Sequence, residues 1–257
     1  AEAVLARLLS PLQHRLLDEL PQFGSGGGSS EAVARHVCEG MRLAMLTDAS
    51  MGSLESVRCI ARESDLALAE ASVDLTVGDP SVEVCVEAVH RIFIAHSFDG
   101  GELQGVTYVV HARYFGNFGG EPAGGWTLLP RSVAEQTLRE ALGVYDRRNL
   151  DTMSEFAGEP TTCERIAAST WTRLVTSLPE ASAARLSRIG VRVDESDVAS
   201  AFHERELRPH PRGGLALALC VDELLAASAT SEAQRQCGTA AATPTGIAHH
   251  SELRALL

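Results

Sequence analysis

The stretch VEVCVEAVHRIFIAH, residues 82–96, decides the fold. Val82, Val84, Val86 and Ala88 alternate with Glu83, Cys85 and Glu87. A period of two gives one apolar and one polar face only if the chain is extended. The run continues through Ile92 and Ile94 to His96. Asp99-Gly100-Gly101 reads as a turn. The next run repeats the pattern, with Val106, Tyr108 and Val110 on one face and Thr107, Val109 and His111 on the other. Two long strands joined by a glycine turn form an antiparallel hairpin.

Outward from this hairpin the period lengthens. Ser132 to Glu135 and Thr161 to Glu164 both fit a capping box, in which a hydroxyl and a carboxylate satisfy free amides at a helix start. Leu138, Ala141 and Leu142 continue the first helix. Ile166, Ala167, Thr170, Trp171, Leu174 and Val175 give the second a wide apolar stripe suited to lying on a sheet. Alternation returns at Ile189, Val191 and Val193, ending at Asp194-Glu195, and a fourth strand is expected over Val198 to Glu204. The order is ββααββ, an α+β fold over residues 81–207.

The flanks read as helical. Residues 1–20 carry Val4, Leu5, Leu8, Leu9, Leu12, Leu16 and Leu17 at helical spacing. Residues 21–30 contain GSGGGSS and read as a flexible linker. Residues 31–80 are expected to be helical, with clusters at Met41 to Leu46 and at Leu54, Val57, Ile60 and Ala61, and a break at Asp79-Pro80. Residues 208–257 are expected to hold a helix over Leu215 to Ala227 and a tail.

Net charge is −12, and all 22 cations are arginine. An acidic chain without a basic run is a poor partner for nucleic acid or an anionic membrane. No apolar run reaches the ~20 residues of a transmembrane helix. The six cysteines make no CxxC pair, so they read as reduced thiols rather than a zinc ribbon. A start at Ala1 fits removal of a targeting segment, which leaves a cytoplasmic or organellar protein as the expectation.

Within the ββααββ frame, Ile94-Ala-His-Ser-Phe98 and Leu103-Gln-Gly-Val-Thr-Tyr108 resemble the opening hairpin of the 6-pyruvoyl-tetrahydropterin synthase / 6-carboxytetrahydropterin synthase family. There the first strand ends in an Ala-Ala-His type motif and the second opens with a His-Gly-His type motif. Tyr145-Asp-Arg-Arg-Asn-Leu150 is similar to the family's Leu-Asp-His-Arg-Asn-Leu. The start of the second helix at Thr161-Thr-Cys-Glu164 and the strand end Val193-Asp-Glu-Ser196 also resemble family motifs. The resemblance implies a T-fold, a four-stranded antiparallel sheet with two helices on one face. It also implies oligomers built by joining sheets, and sites between subunits.

The family's chemistry uses zinc held by three histidines with one position open to substrate. A cysteine and an Asp–His pair move protons. His96 matches the first ligand, but Gln104 and Val106 stand at the other two. His111 lies on the opposite face by parity. No cysteine lies between His96 and Gln104, and Arg147 follows Asp146 where the family has histidine. Always-charged arginine is no base. The ring-holding part is more complete. Glu195 matches the carboxylate that anchors a pterin or purine ring, and Thr162 and Glu164 match the helix start.

Each residue also has a plainer role open to it. Thr161, Thr162 and Glu164 cap a helix in any case, Glu195 can be solvated, His96 can be a hydrogen-bonded strand end, and Asp146 can pair with a neighbouring arginine. The expectation is a catalytically degenerate member of the family. It would serve as a structural or ligand-holding subunit of a homo-oligomer or larger complex, with no cofactor and with zinc disfavoured. The alternative is an enzyme with altered, metal-independent chemistry on a pterin- or purine-like ring, using His96 and Asp146 for proton transfer.

Overall fold

The computed structural model describes residues 2–23, 27–47, 54–77, 81–97, 101–117, 127–158 and 160–207. The elements are α1 (Glu2–Leu9), α2 (Ser30–Thr47), β1 (Ser56–Ser64), β2 (Ala67–Asp74), β3 (Glu83–His96) and β4 (Gln104–Asn117). They continue with α3 (Arg131–Gly143), β5 (Arg148–Asn149), α4 (Cys163–Ser177), α5 (Glu180–Ala183), β6 (Arg188–Asp194) and β7 (Ser200–Glu206). The sheet order is β1-β2-β3-β4-β6-β7, all antiparallel, and the short β5 joins β3 in parallel.

The central part is the expected T-fold. β3, β4, β6 and β7 form its sheet, and α3 and α4 cover one face. Val84, Ala88, Ile92, Tyr108, Val110, Ala112, Ile189, Val191 and Val193 are buried on that face, as alternation requires.

Residues 31–80 depart from expectation. Among the described residues of this stretch only α2 is helical, and residues 56–74 form the β1–β2 hairpin, which adds two strands to the T-fold sheet. Leu54, Val57, Ile60 and Ala61 fit helical spacing by coincidence. The small side chains of Ala61, Ala69 and Ala71 are weak strand formers, but they let the 18-residue α2 settle on the sheet. The helix expected over 1–20 stops at Leu9. Pro11 leads into a 3-10 turn, and His14 then adopts φ 58°, which no α-helix continues through. Next to the glycine run, Phe23 is buried and the Gly28 amide donates to Asp18 Oδ1 at 2.7 Å. These flanks of the expected linker are therefore packed.

The capping boxes are also displaced. α3 begins after Pro130 with no side-chain cap. At α4 the cap is Thr162, whose hydroxyl accepts from the Arg165 amide at 3.4 Å. The last strand starts at Ser200, not Val198. Part of the turn at Asp99-Gly100-Gly101, the break at Asp79-Pro80 and all of residues 208–257 lie outside the described residues.

The helix-free face of the sheet carries an ion-pair ladder. Arg58 and Arg113 hold Glu70 at 2.6 and 2.8 Å. Arg113 and His111 reach Glu87 at 3.5 and 2.8 Å. His111 and Arg192 reach Asp194 at 3.2 and 2.7 Å. Arg188 joins Glu83 and Glu204 and lies over the Phe115 ring. Among the described residues no helix is long and apolar enough to cross a membrane.

Candidate functional site

β3 and β4 pair in register, so His96 lies opposite Gln104 and Ile94 opposite Val106. His96 is fully buried. Its Nδ1 lies 3.0 Å from the Thr161 carbonyl. A carbonyl only accepts, so Nδ1 carries the proton. In the neutral ring Nε2 is then the acceptor, and the Tyr108 hydroxyl faces it at 3.4 Å.

This arrangement does not fit the family's zinc. Val106 offers no donor atom and Gln104 is exposed. The lone pair of His96 Nε2 meets Tyr108 rather than an open position. Among the described residues no group of three His, Cys, Asp or Glu side chains could hold a metal ion. His111 lies on the opposite face, between Glu87 and Asp194.

A second set of groups continues from Tyr108. Its hydroxyl is a hydrogen-bond neighbour of the Cys163 thiol, and Cys163 Sγ donates to Glu195 Oε2 at 3.5 Å. Burial pushes the Tyr108 hydroxyl far above its ordinary range, and the nearby Cys163 and Glu195 add to this. Burial raises the Cys163 thiol to about 11, with Tyr108 opposing and the Glu195 carboxylate reinforcing the shift. At neutral pH Cys163 is therefore a thiol, a weak donor rather than a nucleophile.

The structure thus brings Glu195, Thr162 and Glu164 to one place. α4 starts beside the end of β6. Thr162 caps the helix, Glu164 stands exposed in its first turn, and Glu195 is half-buried against Cys163. Trp171 fixes α4 to the sheet by donating its indole N–H to the Ile189 carbonyl at 2.9 Å.

Asp146 does not join this group. Its Oδ1 accepts from the Phe93 amide at 3.0 Å, and its Oδ2 lies 3.8 Å from Arg147 Nε. It pins the end of α3 to β3. Arg147 adopts φ 57° there. A carboxylate that does interact with His96 is Asp151. It accepts from the Ser97 amide at 2.6 Å, the Ser97 hydroxyl at 2.8 Å and the Thr161 hydroxyl at 3.1 Å. Desolvation opposes ionisation of Asp151, but the hydrogen bonds from Ser97 and Thr161 outweigh it and hold the group below its ordinary range.

Sequence reading missed Tyr108, Cys163 and Asp151. Tyr108 looked like an ordinary strand residue, but its parity with Val106 placed it on the site's face. Cys163 stands inside the Thr161–Glu164 motif, beside Thr162. Asp151 carried no local signal.

Residues 81–206 match the family model described as 6-pyruvoyl tetrahydropterin synthase. None of the curated proteins matches the chain. Among solved structures, the Caenorhabditis elegans 6-pyruvoyl tetrahydropterin synthase is 16% identical, with 48% of this chain aligned to 96% of that one and a TM-score of 0.40. The Plasmodium vivax enzyme is 16% identical over 48% of this chain and 99% of its own, with a TM-score of 0.39. The Plasmodium falciparum enzyme is 12% identical over 49% and 99%, with a TM-score of 0.40. With the motifs at His96, Tyr145 to Leu150, Thr162 and Glu195 in family order on the expected elements, the segment 81–206 of this chain belongs to the 6-pyruvoyl tetrahydropterin synthase family.

Proposed function

We propose that the 81–206 domain is a catalytically degenerate member of its family, a ligand-holding and structural subunit of a homo-oligomer or larger complex. One observation carries this reading. Both nitrogens of His96 are engaged inside the protein, by the Thr161 carbonyl and the Tyr108 hydroxyl. The residue that would begin a zinc site is thereby turned into a strut between β3 and the start of α4. The ring-anchoring side keeps a carboxylate at Glu195, beside the Thr162 cap and the exposed Glu164. A pterin- or purine-like ring presents adjacent N–H and amino groups, which a carboxylate accepts in pairs. The test is twofold. Metal analysis of the purified protein is expected to give no stoichiometric zinc, and calorimetric titration with pterins and purines is expected to give binding that Glu195→Gln abolishes. Stoichiometric zinc with lyase activity on dihydroneopterin triphosphate would overturn the reading.

The Cys163–Glu195 contact favours a second reading, in which the site keeps metal-independent proton transfer. A thiol raised to about 11 beside an anchored ring is a proton donor. In that case Cys163→Ala removes turnover but leaves ring binding intact. Binding without turnover of any pterin or purine tested sinks this second reading and leaves the first.

A further inference from the structure

Residues 2–75 repeat the plan of residues 135–207. α1 corresponds to α3, α2 to α4, and the β1–β2 hairpin to β6–β7. Leu5 and Leu9 stand where α3 has Leu138 and Leu142. After each first helix one non-glycine residue is left-handed, His14 at φ 58° and Arg147 at φ 57°. An arginine, a leucine and an aspartate follow at matching places in both, ending in Asp18 and Asp151, and both segments turn through a 3-10 helix there. Phe23 and Phe156 are both buried.

The hydrogen bonds repeat too. Ser29 accepts from Ala32 as Thr162 does from Arg165. The Cys38 thiol reaches the Val57 carbonyl as the Trp171 indole reaches Ile189. Glu63-Ser-Asp65 and Glu195-Ser-Asp197 close the two hairpins. In each the serine hydroxyl accepts from the amide two residues on, Leu66 or Val198. Leu75 donates to the Glu55 carbonyl as Leu207 does to Ser187. A shared left-handed turn, cap and hairpin at a nearly constant displacement mark an internal duplication of an ααββ unit.

The copies differ in what lies beside them. In the second copy β6 is paired on both sides, by β4 and β7, and α3 lies on β3. Among the described residues β1 pairs only with β2. The stripe of α1, at Val4, Leu5, Leu8 and Leu9, is only half-buried, whereas the matching Thr137, Leu138, Ala141 and Leu142 of α3 are buried. Cys59 on β1 is half-buried where Val191 on β6 is fully so. Among the described residues, an unpaired strand edge and a helix stripe only partly covered by its own core thus lie on one side of the N-terminal copy.

We propose that this side receives an antiparallel β-hairpin of the β3–β4 kind. The occupant is specified by the second copy. Its inner strand would run against β1 as β4 runs against β6. In that register Val110, Ala112 and Tyr114 face Val193, Val191 and Ile189, so residues of that kind would face Ala61, Cys59 and Val57. Its outer strand would lie under α1 as β3 lies under α3. Main-chain bonds would supply the pairing and alternate apolar side chains the selectivity. A second copy of this chain cannot lend its own β3–β4, because those strands are already paired on both outer sides by β2 and β6.

The test is the 257-residue chain with a second copy of residues 81–133 placed ahead of Ala1, which keeps the sequence displacement that relates Leu5 to Leu138. Hydrogen exchange is expected to slow at least ~10-fold at the β1 amides and in α1 relative to the unfused chain. A second fusion with prolines at the added copies of Val110 and Ala112 should lose that protection. Equal exchange at β1 in the unfused chain and the first fusion overturns the proposal. Protection of β1 in the unfused chain that disappears on dilution also overturns it, by giving the edge to a second copy.

Discussion

Where Tyr145, Glu155, Ser169 and Arg173 join in one polar network, the N-terminal copy has Leu12, Gln22, His36 and Gly40. The network is dense. Arg173 Nε donates to the Tyr145 hydroxyl at 2.8 Å and Nη2 to Glu155 Oε2 at 2.6 Å. Tyr145 in turn donates to Glu155 Oε1 at 2.9 Å, and Ser169 bonds to both. Burial raises Tyr145 to about 12 despite the bonds from Ser169 and Arg173. The N-terminal copy holds the same backbone with apolar packing. Leu8 lies so close to Gly40 that a Cβ there would come within 2.5 Å of its Cδ2. The His36 ring meets the edge of Phe23 at 5.5 Å between centroids, and burial lowers its pKa. The shared features are caps, the left-handed turn and strand register. Backbone devices of this kind specify the unit, while its interior can be polar or apolar.

The comparison can be broken most strongly at the helix–sheet anchor. Trp171→Ala removes a buried indole and its bond to Ile189, and should cost about 3–5 kcal/mol in chemical denaturation. Cys38→Ala, at the matching place, should cost about 1 kcal/mol. Equal costs would show that the indole anchor is no stronger than the thiol one. The polar network is the next point. Glu155→Ala strips Arg173 and Tyr145 of their acceptor and should cost about 2 kcal/mol. Gln22→Ala, its counterpart, should stay within about 0.5 kcal/mol.

The matched aspartates separate the copies less. Asp151 accepts three bonds and, among the described residues, Asp18 accepts one from Gly28. Asp151→Asn should cost about 1 kcal/mol near neutral pH, and Asp18→Asn less. The folded pKa of Asp151 lies below 3.8. Its contribution is therefore present above that pH and fades as pH falls below it, so the wild-type advantage should vanish in strong acid. The smallest effect is at Cys163. Alkylation should follow a midpoint near 11, and Glu195→Gln should lower it by a fraction of a pH unit, because a neighbouring negative charge is removed. An upward move would mean that the thiol does not face Glu195.

The T-fold was legible because its strands alternate cleanly from Val82 to His96 and from Val106 to Val110. The β1–β2 hairpin was not. Ala61, Ala67, Ala69 and Ala71 have low strand propensity, and the helix they admit cannot be seen locally. The grouping of the candidate site was legible in part. Glu195, Thr162 and Glu164 stand in motifs and do converge. Asp146 was placed in the site but holds β3 instead, because its partner is a backbone amide that no side-chain pattern marks. Tyr108, Cys163 and Asp151 come from three separate elements, and only packing brings them near His96. The capping boxes were displaced because hydroxyl–carboxylate spacing recurs at more than one place near a helix start.

The ladder on the helix-free face shares its charges between strands rather than closing them in separate pairs. Its cations are almost all guanidinium groups, whose fork reaches two carboxylates at once. Its anions are Glu70, Glu83, Glu87, Asp194 and Glu204. Replacing these carboxylates by amides would erase one sign of a balanced mosaic. Arg58, Arg113, Arg188 and Arg192 would then repel across strands that the same side chains had clasped. The ladder runs from β1 to β7, so the load falls on the whole sheet at once, and both copies should loosen together.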